Sequence, residues 1–202
     1  LYSLKCYNNQ LTSLNMRNGV TDQLTTFNAT NNPDLTCIET LDPTYAMENW
    51  THENENIDEG VTFAVVCGVE QNVWHVSATG SDESGDGTQE NPFAMIQTAV
   101  NAANSGNDIL VGPGTYTENI ACSGKAINII GADRETTIID GDSSGTVLFF
   151  DGSGQYGIFL EEFTIRNGMT GGTGGGVNIK NAVVNIANLT VVGNTATGYG
   201  GG

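Results

Sequence analysis

One segment carries oxygen-bearing side chains at the spacing of a calcium-binding loop. The candidate ligands are Asp82, Ser84, Asp86 and Glu90. Gly87 follows where such a loop bends sharply, but Phe93 stands where the twelfth-position bidentate glutamate is expected. The pattern therefore predicts at most weak binding, suited to extracellular calcium concentrations. A Gly/Asp turn ahead of a helix would explain the same residues without a metal, and both interpretations stay open.

Side chains suited to acid–base catalysis are sparse. Removing the proton beside a uronate carboxylate needs a base, together with a cation that neutralises the carboxylate. The available groups are Lys5, Arg17, Lys125, Arg134, Arg166, Lys180, His52 and His75. Only Arg166 lies in a regular strand register close to acidic residues, Glu161 and Glu162. A solvated arginine paired with a neighbouring carboxylate is a simpler interpretation of Arg166 than a catalytic role. Asp140 and Asp142 share a turn, but no sequence feature places a saccharide between them, so we expect no catalytic residues in this sequence.

The charge balance narrows the classes of partner. Asp and Glu outnumber Lys and Arg by 23 to 6, which gives a net charge of −17. Such a chain repels phosphate backbones and anionic lipid head groups, so we expect neither nucleic acid binding nor direct membrane insertion. The 27 glycines, four prolines and 38% hydrophobic content favour turn-rich β structure with a core over disorder.

A fixed repeat near the end of the chain predicts a solenoid. Residues 163–165 align with 189–191, and 174–176 align with 200–202, both at an offset of 26 residues. Alternating apolar residues in the second copy predict short strands with one inward face. One coil cannot bury that face alone, so the coils must stack as a parallel β-helix. The chain begins and stops in mid-pattern, and we expect it to be an excerpt of a longer protein, truncated at the end of the β-helix.

The start of the chain follows a second repeat template. Residues 1–11 read Leu-x-x-Leu-x-Cys-x-x-Asn-x-Leu, and residues 24–32 match this pattern 23 positions later. Leu and Phe would fill the interior, while the amides of Asn9 and Asn32 would satisfy backbone groups at the bend. With the segment 31–38, this pattern resembles the short leucine-rich repeats of secreted bacterial surface proteins. The resemblance implies a leucine-rich repeat segment over 1–68 and says little about a ligand.

The polar stretch 39–59 is interpreted as the closing cap of these repeats. Cys37 and Cys67 bracket it, so of the three full pairings that four cysteines allow, a Cys37–Cys67 disulfide is preferred. Two buried thiols remain the alternative. Cys6 occupies an inward template position, and the pairing of Cys122 is left open.

A hinge at 69–72 precedes the second predicted domain, 73–202. Asn91 and Pro92 predict the start of an amphipathic helix that buries Phe93, Ile96, Ala99, Val100 and Ala103 and covers the first coil. A strand and turn are expected at 108–116, the apolar segment 127–131 follows, and further strands are expected near 137–139, 147–150 and 158–160. These segments resemble right-handed parallel β-helix proteins of the pectate-lyase-like superfamily, and the glycine tracts resemble polymorphic outer-membrane protein repeats.

The resulting fold class is a mainly β solenoid, in which a leucine-rich repeat segment joins a right-handed parallel β-helix with one N-terminal capping helix. Solenoids present extended faces, so we expect a non-catalytic, secreted or cell-surface adhesin or stalk that contacts polysaccharide or a surface protein. Two alternatives stay open: a polysaccharide lyase or hydrolase whose active coils lie outside this excerpt, and exported cargo that contacts a bacterial secretion machinery. Calcium is the one cofactor that the sequence suggests.

Overall fold

Parallel strands stack coil upon coil throughout the described parts of the chain. The computed structural model describes residues 2–19, 23–68, 71–152 and 157–200. Leu1, positions 69–70 of the predicted hinge, and Gly201 and Gly202 of the glycine repeat lie outside these residues. Within them the protein is mainly β, with strands and two short helices, and neither helix is long and apolar enough to cross a membrane. Two compact units, Leu1–Glu70 and Gln71–Gly202, are described in turn.

In the first unit, each short strand pairs in parallel with the strand one coil later. The strands are β1 (Ser3–Lys5), β2 (Leu14–Asn15), β3 (Thr26–Asn28), β4 (Cys37–Glu39) and β5 (Thr62–Ala64). β1 pairs with β3, and β2, β4 and β5 form a three-stranded sheet. Leu4 lies opposite Phe27, so the 23-residue offset found in the sequence is the spacing at which β1 and β3 pair.

The polar segment after β4 contains a helix that the sequence analysis did not predict. α1 (Pro43–Asn49) begins after Asp42, whose carboxylate accepts a hydrogen bond from Tyr45 N at 3.0 Å. Trp50 ends it and packs against Phe27 and Phe63, with ring centroids 4.6 and 6.1 Å away. Aromatic packing, and not polar composition, therefore organises this segment.

Cys37 and Cys67 form a disulfide, the pairing preferred from the sequence, with their Cα atoms 6.0 Å apart. The bond joins β4 to the segment after β5. Cys6 is a half-buried free thiol and Cys122 a buried one. Burial raises the pKa of Cys122 to about 11, so its thiol is protonated and unreactive at neutral pH.

The second unit is a parallel β-solenoid whose strands fall on several sheets. Its strands are β6 (Val73–Val76), β7 (Asp108–Val111), β8 (Gly114–Thr117), β9 (Ile120–Ser123), β10 (Asn128–Gly131), β11 (Thr137–Asp140), β12 (Leu148–Asp151), β13 (Gly157–Glu161), β14 (Thr164–Arg166), β15 (Met169–Thr170), β16 (Val177–Lys180), β17 (Val183–Ala187), β18 (Thr190–Val192) and β19 (Thr195–Ala196). The sheets have the orders β6-β7-β10-β13-β17, β8-β11-β14-β18, β9-β12-β16 and β15-β19. All of the pairings are parallel, as the sequence predicts.

Aligned apolar side chains fill the interior of these coils. In the five-stranded sheet the register places Trp74, Ile109, Ile129 and Leu160 in one inward row, and all four are buried. Alternation with a period of two points the residues directly before and after each of these four outward. Burial of the inward rows therefore fixes which residues form the outer surface.

The second helix, α2 (Ile96–Ala102), begins later than the sequence predicts. The predicted start at Asn91 and Pro92 is wrong, because Phe93 forms a parallel bridge with Val76 and its segment stays extended up to the N-cap, Met95. The predicted apolar face does form. Its buried helical members are Ile96, Ala99 and Val100.

Side chains from the first coil hold both ends of α2. The buried Glu118 carboxylate accepts hydrogen bonds from Ile96 N and Gln97 N, both at 2.9 Å. Lys125 Nζ donates to the carbonyls of Val100 and Asn101 at 2.8 and 2.9 Å. An anion at the N-terminus and a cation at the C-terminus both complement the helix dipole. The Gln97 side chain also bonds Ala121 N and O of strand β9.

Candidate binding surface

The outer face of the five-stranded sheet is the most continuous candidate surface among the described residues. The register aligns His75, Leu110, Ile130, Glu161 and Ala187 in one outward row. A second row, two residues earlier on each strand, contains Val73, Asp108, Asn128, Phe159 and Asn185. We call these two rows, together with Val183, the outer sheet face. Its elements are rigid strands, so the side chains have fixed spacing.

A groove of about 370 Å³ crosses one end of this face. Its floor includes His75, Leu110 and Ile130, and Gln89 and Pro92 from the loop before α2 contribute to its wall. The lining is mostly apolar, with Ser77 and Gln89 among its few polar side chains. Such a shallow groove suits side chains of a partner better than a small, fully enclosed ligand.

The loop that forms the wall is held by the stacked rings of Trp74 and Phe93, whose centroids are 5.9 Å apart. Gly87 lies against both rings: a Cβ atom there would come within 2.5 Å of Trp74 Cε3 and 2.7 Å of Phe93 Cε2, and its φ is +75°. Only glycine fits this position without displacement. Asp82 fixes the end of the loop by accepting hydrogen bonds from Ala94 N and Met95 N at 3.0 and 3.1 Å.

The surface charge of the second unit is strongly negative. Residues 71–202 contain 13 acidic and 4 basic side chains. Lys125 binds the end of α2, Arg166 pairs with Asp140 at 2.8 Å, and Lys180 pairs with Asp151 at 3.3 Å. Three of the four cations are therefore engaged away from the outer sheet face, which carries Asp108 and Glu161 and contains no Lys or Arg among its described residues.

The predicted calcium ligands are used within their own loop. Thr88 Oγ1 and N donate to Asp86 Oδ1 at 2.6 and 3.0 Å, and the Thr88 hydroxyl is the main cause that lowers the pKa of Asp86. Ser84 Oγ bonds Ser81 Oγ, and Glu90 is exposed. Within the described ranges, no group of three or more His, Cys, Asp or Glu side chains is placed to hold a metal ion. Calcium binding at Asp82, Ser84, Asp86 and Glu90 stays a prediction.

Two of the side chains that could serve acid–base chemistry, Arg166 and Asp140, pair with each other between neighbouring coils. Arg166 is paired with a carboxylate, as the simpler interpretation has it, but the partner is Asp140 of the previous coil and not Glu161 or Glu162. Burial tends to raise the pKa of Asp140, yet hydrogen bonds from Asn167 and Arg166 outweigh it and hold that pKa below its ordinary value. Asp142 N also donates to Asp140 Oδ1, so the Asp140 carboxylate already has hydrogen-bond partners within the protein.

The sequence analysis missed the outward rows as a unit. Alternation identifies outward positions within β6, β7 and β10, but their alignment depends on offsets of 35, 20 and 31 residues along the chain. Loops of different length set these offsets, so no fixed repeat reveals them. Counting outward positions strand by strand would have indicated His75, Leu110 and Ile130 as neighbours.

Comparison with known proteins bears on the fold and not on an activity. A family model described as "Protein of unknown function (DUF1565)" matches residues 78–157, and this family is associated with parallel β-helix proteins. No curated protein matches the chain. The match covers the groove wall, α2 and the strands from β7 to β12.

Proposed function

We propose that this protein is a secreted or cell-surface β-solenoid that acts as an adhesin or stalk and contacts carbohydrate or protein through the outer sheet face. The observation that carries the proposal is the alignment of the row from His75 to Ala187 across five parallel strands. Such a row presents many side chains at a fixed spacing of about 4.8 Å. A partner can bind it without any loop of this protein first having to become ordered.

We assign the first unit to the leucine-rich repeat type, which the pairing of Leu4 with Phe27 and the buried amide of Asn32 support. We assign the second to the right-handed β-helices of the pectate-lyase-like superfamily, since parallel crossovers are overwhelmingly right-handed. In this assignment α2 is the capping helix, supported by the bonds between Gln97 and β9.

The extracellular location rests on the Cys37–Cys67 disulfide, because such bonds persist in oxidising compartments. An exported cargo that contacts secretion machinery would share this location. Cell-surface labelling of the native protein distinguishes a retained stalk from a released product.

Binding to immobilised polysaccharides and surface proteins tests the proposal. Ile130→Thr changes the groove floor, and Ile138→Thr is its matched control, since Ile138 is an outward isoleucine of the four-stranded sheet. We expect the first variant to lose binding roughly tenfold and the second to keep it. Equal binding by both variants would remove the outer sheet face from the function.

Incubation with uronate polymers tests the lyase alternative. The proposed stalk releases no unsaturated product, whereas a lyase generates products that absorb in the ultraviolet. Turnover by the purified chain would replace the adhesin proposal with an enzymatic one.

A further inference from the structure

The outer sheet face exposes more apolar surface than a solvated strand face needs. Phe159 is 52% exposed and Val183 56%, and both are outward residues of the adjacent strands β13 and β17. The neighbouring four-stranded sheet is more mixed, since its outward positions combine Ile138 and Val192 with Thr115, Thr164 and the Asp140–Arg166 pair. Clustered exposed apolar side chains commonly mark interaction sites.

The charges on this face have one sign. Glu161 is the outward neighbour of Ile130 on the adjacent strand. Asp108 lies two residues before Leu110 on the same face and accepts a hydrogen bond from Asn128 Nδ2 at 2.6 Å. A partner that covers Leu110 and Ile130 must therefore meet carboxylates at the edge of the contact, and a complementary partner carries cations there.

The groove floor discriminates between classes of partner. Leu110 and Ile130 offer aliphatic surface, which desolvates sugar hydroxyl groups without replacing their hydrogen bonds. Aliphatic or aromatic side chains of a protein lose no hydrogen bonds in the same place. The net charge of the unit disfavours nucleic acid and anionic lipid.

We propose that the outer sheet face binds a protein segment in which apolar side chains alternate with lysine or arginine. The apolar side chains cover Leu110 and Ile130, and a cation lies beside Glu161. This inference rests on the proposed function of the same face and names protein, not carbohydrate, as what it contacts.

Synthetic peptides test it directly. One peptide alternates leucine with lysine, a second replaces every leucine with serine, and a third replaces every lysine with glutamate. We expect only the leucine–lysine peptide to bind measurably in moderate salt and to shift the amide resonances of β7, β10 and β13. Equal binding of the serine–lysine peptide would reveal general attraction to an acidic protein and would overturn the inference.

Variants locate the contact. Ile130→Thr and Glu161→Gln should each weaken the leucine–lysine peptide by roughly tenfold or more. Ile138→Thr and Glu83→Gln are matched controls, because they make the same changes on another sheet and at an exposed loop position, and should leave binding unchanged. Thermal melts check that every variant is folded.

The outcomes separate this inference from the proposed function. If peptides fail to bind but Ile130→Thr abolishes polysaccharide binding, the protein partner is wrong and the role of the face as a binding surface stands. If the folded chain binds neither class through this face, both fail.

Discussion

At the scale of single residues, buried polar groups determine which turns this chain can make. Asn32 is fully buried, its Oδ1 accepts from Leu11 N at 3.1 Å, and its Nδ2 donates to Ala29 O and Cys6 O at 2.8 and 3.0 Å. One amide thus satisfies backbone groups of two coils. The sequence analysis predicted this role for Asn32, and the bonds confirm it.

Asn32→Ala should destabilise the first unit by about 3 kcal/mol, because each buried backbone group left without a partner costs about 1–3 kcal/mol. Asn9→Ala is the control: Asn9 is exposed and bonds the carbonyls of its own turn, so its loss should cost below about 1 kcal/mol. Amide hydrogen exchange of the first unit measures both. Similar protection in the two variants would contradict the proposed role of Asn32.

Gly87 provides a second test at this scale. Gly87→Ala should cost about 2–4 kcal/mol, since the methyl group meets two rings and the backbone is held at a positive φ. Gly106→Ala separates the causes: its φ is +93° but its Cβ would meet nothing within 4 Å, so only backbone strain applies. Thermal melts should show the larger loss for Gly87→Ala, and the same loss in excess calcium and in chelator. A deficit that disappears in chelator would instead support the calcium loop.

At the scale of elements, the strands and offsets that could be predicted from the sequence are those set by a local repeat pattern. The strand pairs β14–β18 and β13–β17 have the predicted 26-residue offset, because their turns have matching lengths and use left-handed residues such as Asn167 and Asn188. Earlier coils have loops of different lengths, so their register could not be read from a repeat. The start of α2 was missed because Phe93 gains more from the bridge to β6 and its ring contact with Trp74 than from a helical turn.

The anchor of α2 predicts a pH dependence. Burial raises the pKa of Glu118, despite the opposing hydrogen bonds from Gln97 N and Ile96 N. The folded state then binds this proton more tightly than the unfolded state, so the stability contribution of Glu118 falls as pH rises from 4.5 through the raised pKa.

Glu118→Gln removes that titration. The variant should be less stable at low pH, because its amide nitrogen accepts no hydrogen bond, whereas both oxygens of the protonated carboxyl can accept one. The gap from the native protein should narrow as pH rises through this window. Chemical denaturation across a pH series measures the gap. Glu83→Gln is the control, because it removes an exposed carboxylate and shows the effect of losing one surface charge. A stability gap that widens with pH would show that the hydrogen bonds to Glu118 outweigh its burial.

At the scale of the whole molecule, stacking divides each strand between a core and a surface. In the five-stranded sheet, inward Ile109 and Ile129 are fully buried while outward Leu110 and Ile130 line a groove. The same alternation therefore supplies both stability and a regular face. A partner that binds this face needs no movement of the solenoid.

The first unit has a smaller core, and its disulfide offers the last test. Cys37 and Cys67 are 30 residues apart, so in the loop-entropy account their bond stabilises the folded unit by about 3–4 kcal/mol. Changing both residues to Ser should lower the transition of the first unit in calorimetry while the transition of the second unit stays in place. Cys6→Ser is the control, because it removes a half-buried free thiol and should have a smaller effect. A double variant with unchanged stability would mean that α1 and the packing of Trp50 are sufficient to hold β5 on β4 without the bond.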